Sequence, residues 1–450
     1  MPDTAVDSYP TIALEIQATP TGLSLSDTAG SAAAEAGKLT VEKFGRDWPL
    51  PAGGLGSCST IEWNKHAVTV RTSLLNPTNL YYWVDPKSNR FLIGTDRVGL
   101  LAHIIATTGS RTAHSLRLIG AGRTVTLSLN AAHDGIVVDD TVAARWVPSP
   151  IAGESALEAG NRQIAALRSE ITDVGGPRPI TVVVSGGVDS GLVAALAKQV
   201  GMVDYLASLG TPWGDEYSGA DELGAHLGIP VRRIALSEDE ILRALPETVR
   251  MLGTTDRELI AAGVNLVAVF RQGTIPAGAI LTGVGADLIN SGSRVGSTAA
   301  AADMQKAVSE RLTEVASSAE LTGVGAAVHG YALHHMYWNS SVIQAALDTS
   351  PEVMRYADRE KGHMRLAAQQ LLPDSVAWRP KQALHHGSGV DRNLDGAVAR
   401  LLGVEHADVE RFYELIEANL VEALMKSPDG AIDSDDCLES AISTYRAENV

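Results

Sequence analysis

Residues 180–199, ITVVVSGGVDSGLVAALAKQ, decide the fold of this chain. The β-branched run at 181–184 is typical of a strand that is buried on both faces of a parallel sheet. Two glycines follow at once and allow a tight turn, and the Leu-rich and Ala-rich stretch after them predicts a helix. We therefore expect a buried strand, a glycine turn and a helix in direct succession.

The turn at 185–190 contains the groups that bind phosphate. Its backbone N–H groups and the helix N-terminus face an anion, and the hydroxyls of Ser185 and Ser190 add two donors. Asp189 is informative because phosphates repel a carboxylate unless a divalent cation lies between them. The pattern predicts a polyphosphate site with Mg²⁺; the alternative is an ordinary glycine turn capped by Ser or Asp. The loop matches neither GxxxxGK[ST] nor GxGxxG, which argues against kinases and dehydrogenases.

The chain divides into two regions by pattern. Residues 1–150 contain short strand-like runs separated by Pro, Asn, Asp and Gly, which predict a β-rich α+β layered domain. The Pro, Gly and Ser of WVPSPIAGES at 146–155 mark the boundary. Residues 151–450 predict an α/β domain, a parallel sheet with helices on both faces. Beyond its first strands this domain is expected to be mostly helical, interrupted by the strand AILTGVGAD at 279–287.

Composition excludes several classes of function. The chain has 450 residues, of which 53 are acidic and 36 basic, and its formal charge of −17 argues against a broad nucleic-acid interface. Its two cysteines, Cys58 and Cys437, have neither disulfide nor zinc-site spacing and fit a reducing compartment. No basic and apolar signal begins the sequence, and no run approaches the roughly 18 apolar residues of a membrane span. We expect a cytoplasmic protein with no membrane partner.

The hexapeptide SGGVDS at 185–190 resembles the loop of the N-type ATP pyrophosphatases, and SGGxDS is its form in the asparagine synthetase and β-lactam synthetase family. Further segments make the chain most similar to β-lactam and carbapenam synthetases. They are SLGT at 208–211, LTGVGAD at 281–287, and RPK at 379–381 followed by HHGSG at 385–389. The resemblance is specific over residues 180–395. In the first region, FLIGTDRVGLLAHI at 91–104 looks like the inactive, glutaminase-derived domain of these synthetases.

This resemblance implies ATP and Mg²⁺ and assigns roles to residues. Asp189 and Asp287 would hold magnesium on the pyrophosphate. Lys381 would stand at the reacting centre, where its charge offsets the negative charge that develops on the acyl oxygen and phosphate. The residues implied in nucleotide binding are Ser185, Gly186, Gly187, Asp189, Ser190, Ser208, Leu209, Gly283 and Gly285.

Two positions depart from the family pattern. Glutamine-dependent relatives use an N-terminal cysteine, whereas Pro2 cannot attack an amide, so we expect no working glutaminase and an amine supplied ready-made. Where lactam-forming relatives have a tyrosine and asparagine synthetases a glutamate, this chain has Val284, which cannot accept a proton. Counting back from the similar pair at 337–338 gives Glu320 as the candidate general base, with a solvated helix residue as the alternative.

Other residues are alternatives for the same tasks. The histidine pairs at 334–335 and 385–386 are alternative proton acceptors, named individually as His334, His335, His385 and His386. Adjacent histidines do not share one helix face, which argues against a zinc site. Asp256–Arg257 or Arg294 would read a charged end of a substrate, and a surface ion pair is the alternative for each.

The sequence therefore predicts an ATP-dependent ligase that adenylates a carboxylate and then closes a lactam or joins an amine, in natural-product biosynthesis. A lasso-type peptide macrolactam cyclase and a catalytically inactive nucleotide-binding scaffold are the alternatives. The expected partners are a small-molecule or peptide carboxylate and an amine, and the resemblance is compatible with a homodimer.

Overall fold

The computed structural model describes most of the chain. The described residues are 13–19, 22–27, 37–41, 59–76, 78–85, 88–109, 116–130, 135–174, 178–291, 301–318, 326, 328–380, 387–427 and 432–449.

The first region forms two antiparallel five-stranded sheets within these described residues. One sheet has the order β2-β1-β7-β6-β8 and the other the order β10-β9-β5-β4-β3. The strands are β1 (Ala13–Thr19), β2 (Gly22–Asp27), β3 (Gly37–Val41), β4 (Ser59–Trp63), β5 (Ala67–Arg71), β6 (Leu80–Asp85), β7 (Arg90–Gly94), β8 (Arg117–Ile119), β9 (Arg123–Leu129) and β10 (Ile136–Val142).

The two sheets pack face to face. Ile16 and Phe91 of the first sheet and Ile61 and Val70 of the second are fully buried in one apolar cluster. This alternation of buried residues is what a strand with one apolar face produces. Helix α1 (Arg97–Thr108) begins after its Asp96 cap and packs on the other face of the first sheet. The predicted β-rich layered architecture is confirmed.

The second region contains the predicted parallel sheet. Its order is β13-β12-β11-β15-β16, with β14 paired to β12; only the short β13 is antiparallel. The strands are β11 (Ile180–Val183), β12 (Tyr205–Thr211), β13 (Gly214–Asp215), β14 (Val231–Ala235), β15 (Ala279–Thr282) and β16 (Ala332–His335). The described residues beyond 300 are mostly helical, as predicted, and the sequence did not predict β16, because this four-residue strand is specified by pairing with β15 rather than by a local pattern.

Helices cover both faces of this sheet, as predicted. Val182 and Leu281 pack against one set of helices, and Ala207 and Ile280 pack against the other. The helices are α2 (Ala156–Thr172), α3 (Val188–Gln199), α4 (Tyr217–Leu227), α5 (Glu238–Arg243), α6 (Leu245–Leu252), α7 (Arg257–Gln272), α8 (Ala286–Ser291), α9 (Ala301–Ala316), α10 (Ser340–Leu347), α11 (Pro351–Met354), α12 (Gly362–Ala368), α13 (Asp374–Ala377), α14 (Val390–Leu402), α15 (Val409–Lys426) and α16 (Ser434–Glu448).

The two regions contact each other through buried polar groups. Asp96 at the start of α1 forms a buried ion pair with Arg250 of α6, with 2.9 Å between Oδ2 and Nη2. Trp338 donates a hydrogen bond of 3.0 Å from Nε1 to the carbonyl of Leu75. The division at 150 and 151 stays a prediction. Among the helices described here, none is long and apolar enough to cross a bilayer.

Candidate active site

The candidate site lies at the carboxyl ends of β11, β12, β15 and β16. Residues 184–187 connect β11 to α3, with Gly187 at the helix cap position. Gly186 has φ +75°, and a Cβ there would lie 2.3 Å from the carbonyl carbon of Gly219, so only glycine fits. The Ser190 hydroxyl accepts a 3.1 Å hydrogen bond from the Ser185 N–H. The loop is thus closed, with the helix N-terminus behind it.

A second loop, 283–285, leaves the neighbouring strand β15 and packs on the first. A Cβ at Gly283 would lie 2.8 Å from the backbone nitrogen of Ser190, so the two loops approach at backbone distance. Gly285 has φ +93°, a conformation that favours glycine. These two glycines allow Asp287, in the first turn of α8, to lie on the same side of the site as Asp189.

Lys361 joins the two carboxylates. Its ammonium lies 2.5 Å from Asp189 Oδ2 and also forms an ion pair with Asp287 Oδ1. The lysine side chain is 1% exposed, whereas the carboxylates are 22% and 33% exposed. Burial acts to lower the pKa of Lys361, but the two carboxylates outweigh it and raise the pKa, so the ammonium stays charged. Both carboxylates therefore lie within contact distance of one cation, and their outer edges face solvent.

Ser208 and Leu209 lie in β12, beside β11, where the second half of a nucleotide site is expected. Ser208 is 1% exposed, and its hydroxyl has no hydrogen-bond partner among the described residues. A buried hydroxyl without a partner costs free energy, which a bound hydrogen-bonding group would recover. The strand ends at Thr211, whose hydroxyl donates to the carbonyl of Ser388 at 2.5 Å.

Comparison with known proteins places this geometry in a family. The family model described as asparagine synthase matches residues 174–323 and 325–442, which is more than half of the chain. The chain belongs to the asparagine synthase family. The matched range contains the loop at 184–187, Asp189, Asp287 and Lys361.

Individual relatives agree with this family assignment. The chain is 29% identical over 266 residues to carboxyethyl-arginine beta-lactam-synthase of Streptomyces clavuligerus, covering 58% of this chain and 50% of that protein. It is 23% identical over 295 residues to a putative glutamine-hydrolyzing asparagine synthetase of Methanocaldococcus jannaschii, covering 57% and 54%. The chain therefore matches about half the length of these curated relatives.

Among solved structures, the chain is similar to NMN synthetase from Francisella tularensis, with 12% identity and a TM-score of 0.27. This similarity covers 66% of this chain and 94% of that one.

Several residues predicted from the family pattern lie outside the described residues. These are Lys381, Glu320, His385, His386 and Arg294. Their predicted roles stay predictions.

Other predicted positions have ordinary structural partners. Asp256 caps α7 by accepting from the N–H of Leu259, and Arg257 pairs with Asp395. A surface ion pair, which the sequence left as the alternative for Arg257, is what the described residues show.

The histidine pair at 334–335 of this asparagine synthase family member lies on a strand. His334 and His335 are adjacent in β16 and therefore point to opposite faces of the sheet, which corrects the helical setting assumed from the sequence. The Nδ1 of His335 lies 2.7 Å from the Thr282 hydroxyl, and that hydroxyl accepts from the Val284 N–H at 3.3 Å. His335 thus fixes the start of the loop that bears Val284.

Val284 is 40% exposed, although it lies between two loop glycines beside the paired carboxylates. An exposed valine at this position supplies no proton acceptor and no hydrogen bond. The sequence did not single out Lys361, which lies between the short helical turn at Tyr356–Asp358 and α12. The sequence alone does not identify Lys361, because its burial, its φ of +56° and its two carboxylate partners exist only in the folded chain.

Proposed function

We propose that this protein is an ATP-dependent amide-forming ligase that adenylates a carboxylate and releases AMP and pyrophosphate. The observation that carries the proposal is the meeting of Asp189 and Asp287 at Lys361, beside a closed phosphate-type loop at the N-terminus of α3. Half-buried acidic groups with a shared cationic partner at the carboxyl edge of a parallel sheet are typical of a nucleotide-dependent active site.

The described residues fit ATP at this edge. Gly186 and Gly187 let phosphate oxygens approach the backbone, and the α3 N-terminus favours their negative charge. The unpartnered hydroxyl of Ser208 supports hydrogen bonding of the nucleoside part on the side of β12. The phosphates and the adenosine would therefore lie on neighbouring strands.

Magnesium also fits the donor set. Asp189 and Asp287 offer hard carboxylate oxygens that already converge on one cationic group, and their exposed edges leave room for phosphate and water oxygens. When bound, the ion would neutralise the pyrophosphate leaving group.

Different residues are proposed to act in the two steps of the reaction. The carboxylate substrate attacks the α-phosphorus of ATP and the bond to pyrophosphate breaks, while Lys361 is proposed to hold Asp189 and Asp287 in position for the Mg²⁺ that would offset charge on the departing pyrophosphate. In the second step the amine attacks the acyl carbon and AMP leaves. Lys381 is proposed to stabilise the acyl oxygen and phosphate charge during this exchange. Because Val284 cannot accept a proton, we propose that the amine attacks in its neutral form and that the proton it loses on forming the amide passes to water, with Glu320 as the candidate protein base.

The specific product is the finer part of the proposal. The sequence similarity to carboxyethyl-arginine beta-lactam-synthase supports lactam or small-amide formation first. Val284 weakens the case for closure of a β-lactam ring, and peptide macrolactam formation is the second candidate.

The test is an assay of purified protein with ATP and Mg²⁺ over a panel of amino-acid and peptide carboxylates, scored for AMP and pyrophosphate. We expect AMP formation that depends on one class of carboxylate and is lost in Asp189→Asn and Lys381→Met. Val284→Ala is the control, because it changes the neighbouring loop at the same edge of the sheet without removing a charge.

The outcomes are distinct. Formation of ADP instead of AMP would overturn the adenylation mechanism. Tight nucleotide binding without turnover on any carboxylate would favour the scaffold alternative.

A further inference from the structure

A cavity of about 330 Å³ lies on the face of the parallel sheet that carries Ala207, away from the candidate active site. It is lined by Thr181, the second residue of β11, and by residues 274–276, which precede β15. The cavity is therefore near the amino ends of these two strands, whereas the loops at 184–187 and 283–285 leave their carboxyl ends. Its volume is at the lower end of the range of about 300–1,000 Å³ that is usual for small-molecule sites.

Thr181 places a polar group against this cavity. The residue is 1% exposed, and its hydroxyl has no hydrogen-bond partner within the part of the chain that the structure describes. Its neighbour Val182 packs against the helices on the other face of the sheet, so the Thr181 side chain lies on the cavity face. A buried hydroxyl without a partner destabilises a fold relative to valine, which has the same shape. A bound polar group would offset this cost.

Arg232 of β14 lines the same cavity and is exposed to solvent. Its guanidinium carbon lies 3.7 Å from the centroid of the Tyr205 ring, and Tyr205 is the residue of β12 that pairs in register with Thr181. Stacking on an aromatic ring orients a guanidinium and leaves the N–H groups at its edge available to an anion. Arg232 makes no ion pair with a carboxylate of the described residues.

The next residue, Arg233, has a different environment. Successive side chains of a strand point to opposite faces, and that of Arg233 lies on the side of α4. There its guanidinium pairs with Asp221 and lies 5.3 Å from the centroid of the Tyr217 ring. Of these two adjacent arginines, Arg232 is thus the one whose charge is not balanced by a carboxylate of the described chain.

The apolar walls of the cavity are held in place by contacts of their own. Ile234 and Ile275 line it and are each 3% exposed. The carbonyl of Ile275 accepts a 2.7 Å hydrogen bond from the Tyr331 hydroxyl. The side-chain amide of Gln272, at the end of α7, donates to the carbonyl of Ala235 at 3.0 Å. The cavity is therefore formed before any ligand binds, which reduces the ordering cost of binding.

We propose that this cavity binds a small carboxylic acid with an apolar body, at a site separate from the candidate active site. The edge of the Arg232 guanidinium binds the carboxylate, and the Thr181 hydroxyl donates a hydrogen bond to it. The apolar body packs on Ile234 and Ile275, which an inorganic anion would leave uncovered. The inference does not rest on the proposed ligase reaction, because none of these residues belongs to the candidate active site.

The test is calorimetric titration of the full chain without ATP. The probes are phenylacetate, isovalerate and hexanoate, with phenylacetamide as the uncharged isostere and inorganic phosphate as the anion without an apolar body. We expect at least one of the three acids to bind with a Kd below about 1 mM, and both comparison compounds to bind at least about tenfold more weakly. Arg232→Met should weaken binding of the acid by at least about tenfold. Arg233→Met removes the same charge one residue away and should change the Kd less than about twofold.

A second variant tests the unpartnered hydroxyl. Thr181→Val should raise the Tm of the ligand-free protein, because it removes a buried polar group that has no partner, and should weaken binding of the acid by about fivefold. Thr248→Val is the matched control, because the Thr248 hydroxyl, which is equally buried, donates to the carbonyl of Ala244 at 2.7 Å. Its loss should not raise the Tm and should leave the Kd of the acid unchanged.

Three results would overturn the inference: no binding of any of the three acids below about 10 mM, equal affinity in Arg232→Met and wild type, or a lower Tm for ligand-free Thr181→Val. Asp189→Asn locates the bound acid. Unchanged affinity in this variant is the expected result, because the cavity is away from the phosphate loop. Loss of affinity there would place the acid in the candidate active site, which contradicts the inference and leaves the proposed function intact.

Discussion

The two loops that carry Asp189 and Asp287 leave neighbouring strands at the same edge of the sheet, yet they differ in what they offer to a reaction. The loop after β11 is closed by its own hydrogen bonds and presents serine hydroxyls and helix N–H groups. The loop after β15 packs equally closely on the first through Gly283, but presents an exposed valine.

This difference corresponds to the two steps of the proposed reaction, adenylation and amide formation. The groups that we propose to bind and cleave a polyphosphate lie among the described residues: an anion loop, two carboxylates and a buried lysine. The group that would remove a proton from an amine is absent from the second loop, because valine has no titratable atom. The first half of the reaction should therefore be sensitive to substitution, and the second half should depend on the substrate's own ionisation.

The largest expected effect concerns the carboxylates. Asp189→Asn and Asp287→Asn preserve size but remove the charge that holds Mg²⁺, so AMP formation should fall by about 10³-fold, or roughly 4 kcal/mol of transition-state stabilisation. Val284→Ala should change the rate less than about threefold, because no bond to substrate is lost. Initial rates of AMP release measure both. A loss in Val284→Ala as large as the loss in the two aspartate variants would contradict the proposed division of roles.

The next effect is on stability. Lys361→Met leaves two uncompensated carboxylates at a buried position and should destabilise the metal-free protein by about 3 kcal/mol. Added Mg²⁺ can occupy the same position between the carboxylates, so it should raise the Tm of Lys361→Met more than the Tm of the wild type. Calorimetric melting with and without Mg²⁺ measures this difference. Lys306→Met, which removes an exposed pair with Glu310, is the control and should show no such rescue.

Sequence reasoning located the first loop completely and the second in part. The β11 unit was recognisable because a buried strand, two glycines and a helix follow one another within twenty residues, so local pattern and function coincide. Asp287 was predicted because the motif that contains it, LTGVGAD, is also one continuous stretch of sequence. Both parallel strands were predicted from apolar runs that need no partner to be recognised.

Other parts of the site could not be predicted from the local sequence. Lys361 lies 172 positions from Asp189 in a stretch without motif, and its burial and left-handed backbone arise from surrounding elements. β16 has only four residues, two of them histidines, and is a strand because β15 pairs with it. Such features depend on tertiary contacts, which neither periodicity nor composition encodes.

A smaller effect should appear in the pH dependence of amide formation. If the amine must arrive neutral, the rate of the amide-forming step should rise about tenfold per pH unit below the pKa of the amine and level off above it. Val284→Tyr, at an exposed position that has room for a larger side chain, should alter the rate at neutral pH by no more than about tenfold.

Single-turnover measurements between about pH 6 and about pH 9 give this profile. Val284→Ala should reproduce the wild-type slope, because neither residue titrates. A flat wild-type profile would contradict the expectation and indicate a protein base, for which Glu320 is the first residue to substitute.

The smallest effect concerns Glu216, whose carboxyl group lies close to the backbone of Gly387. Burial raises the pKa of the Glu216 carboxyl from 4.5 to about 7, with Arg379 opposing the shift and Asp215 adding to it. The folded protein therefore binds this proton more tightly than the unfolded chain, so the stabilisation is complete below pH 4.5 and is lost as the pH rises through about 7. Glu216→Gln should remove this dependence.

Relative to wild type, Glu216→Gln should be more stable by about 1 kcal/mol at about pH 8 and equal below about pH 4.5; the partial exposure of the carboxyl reduces the full value of the shift. Urea unfolding across this pH range measures the difference. Glu405→Gln, whose side chain is 93% exposed, is the control and should remain parallel to wild type. If Glu216→Gln were also parallel to wild type, the carboxyl would be fully hydrated and burial would not raise its pKa.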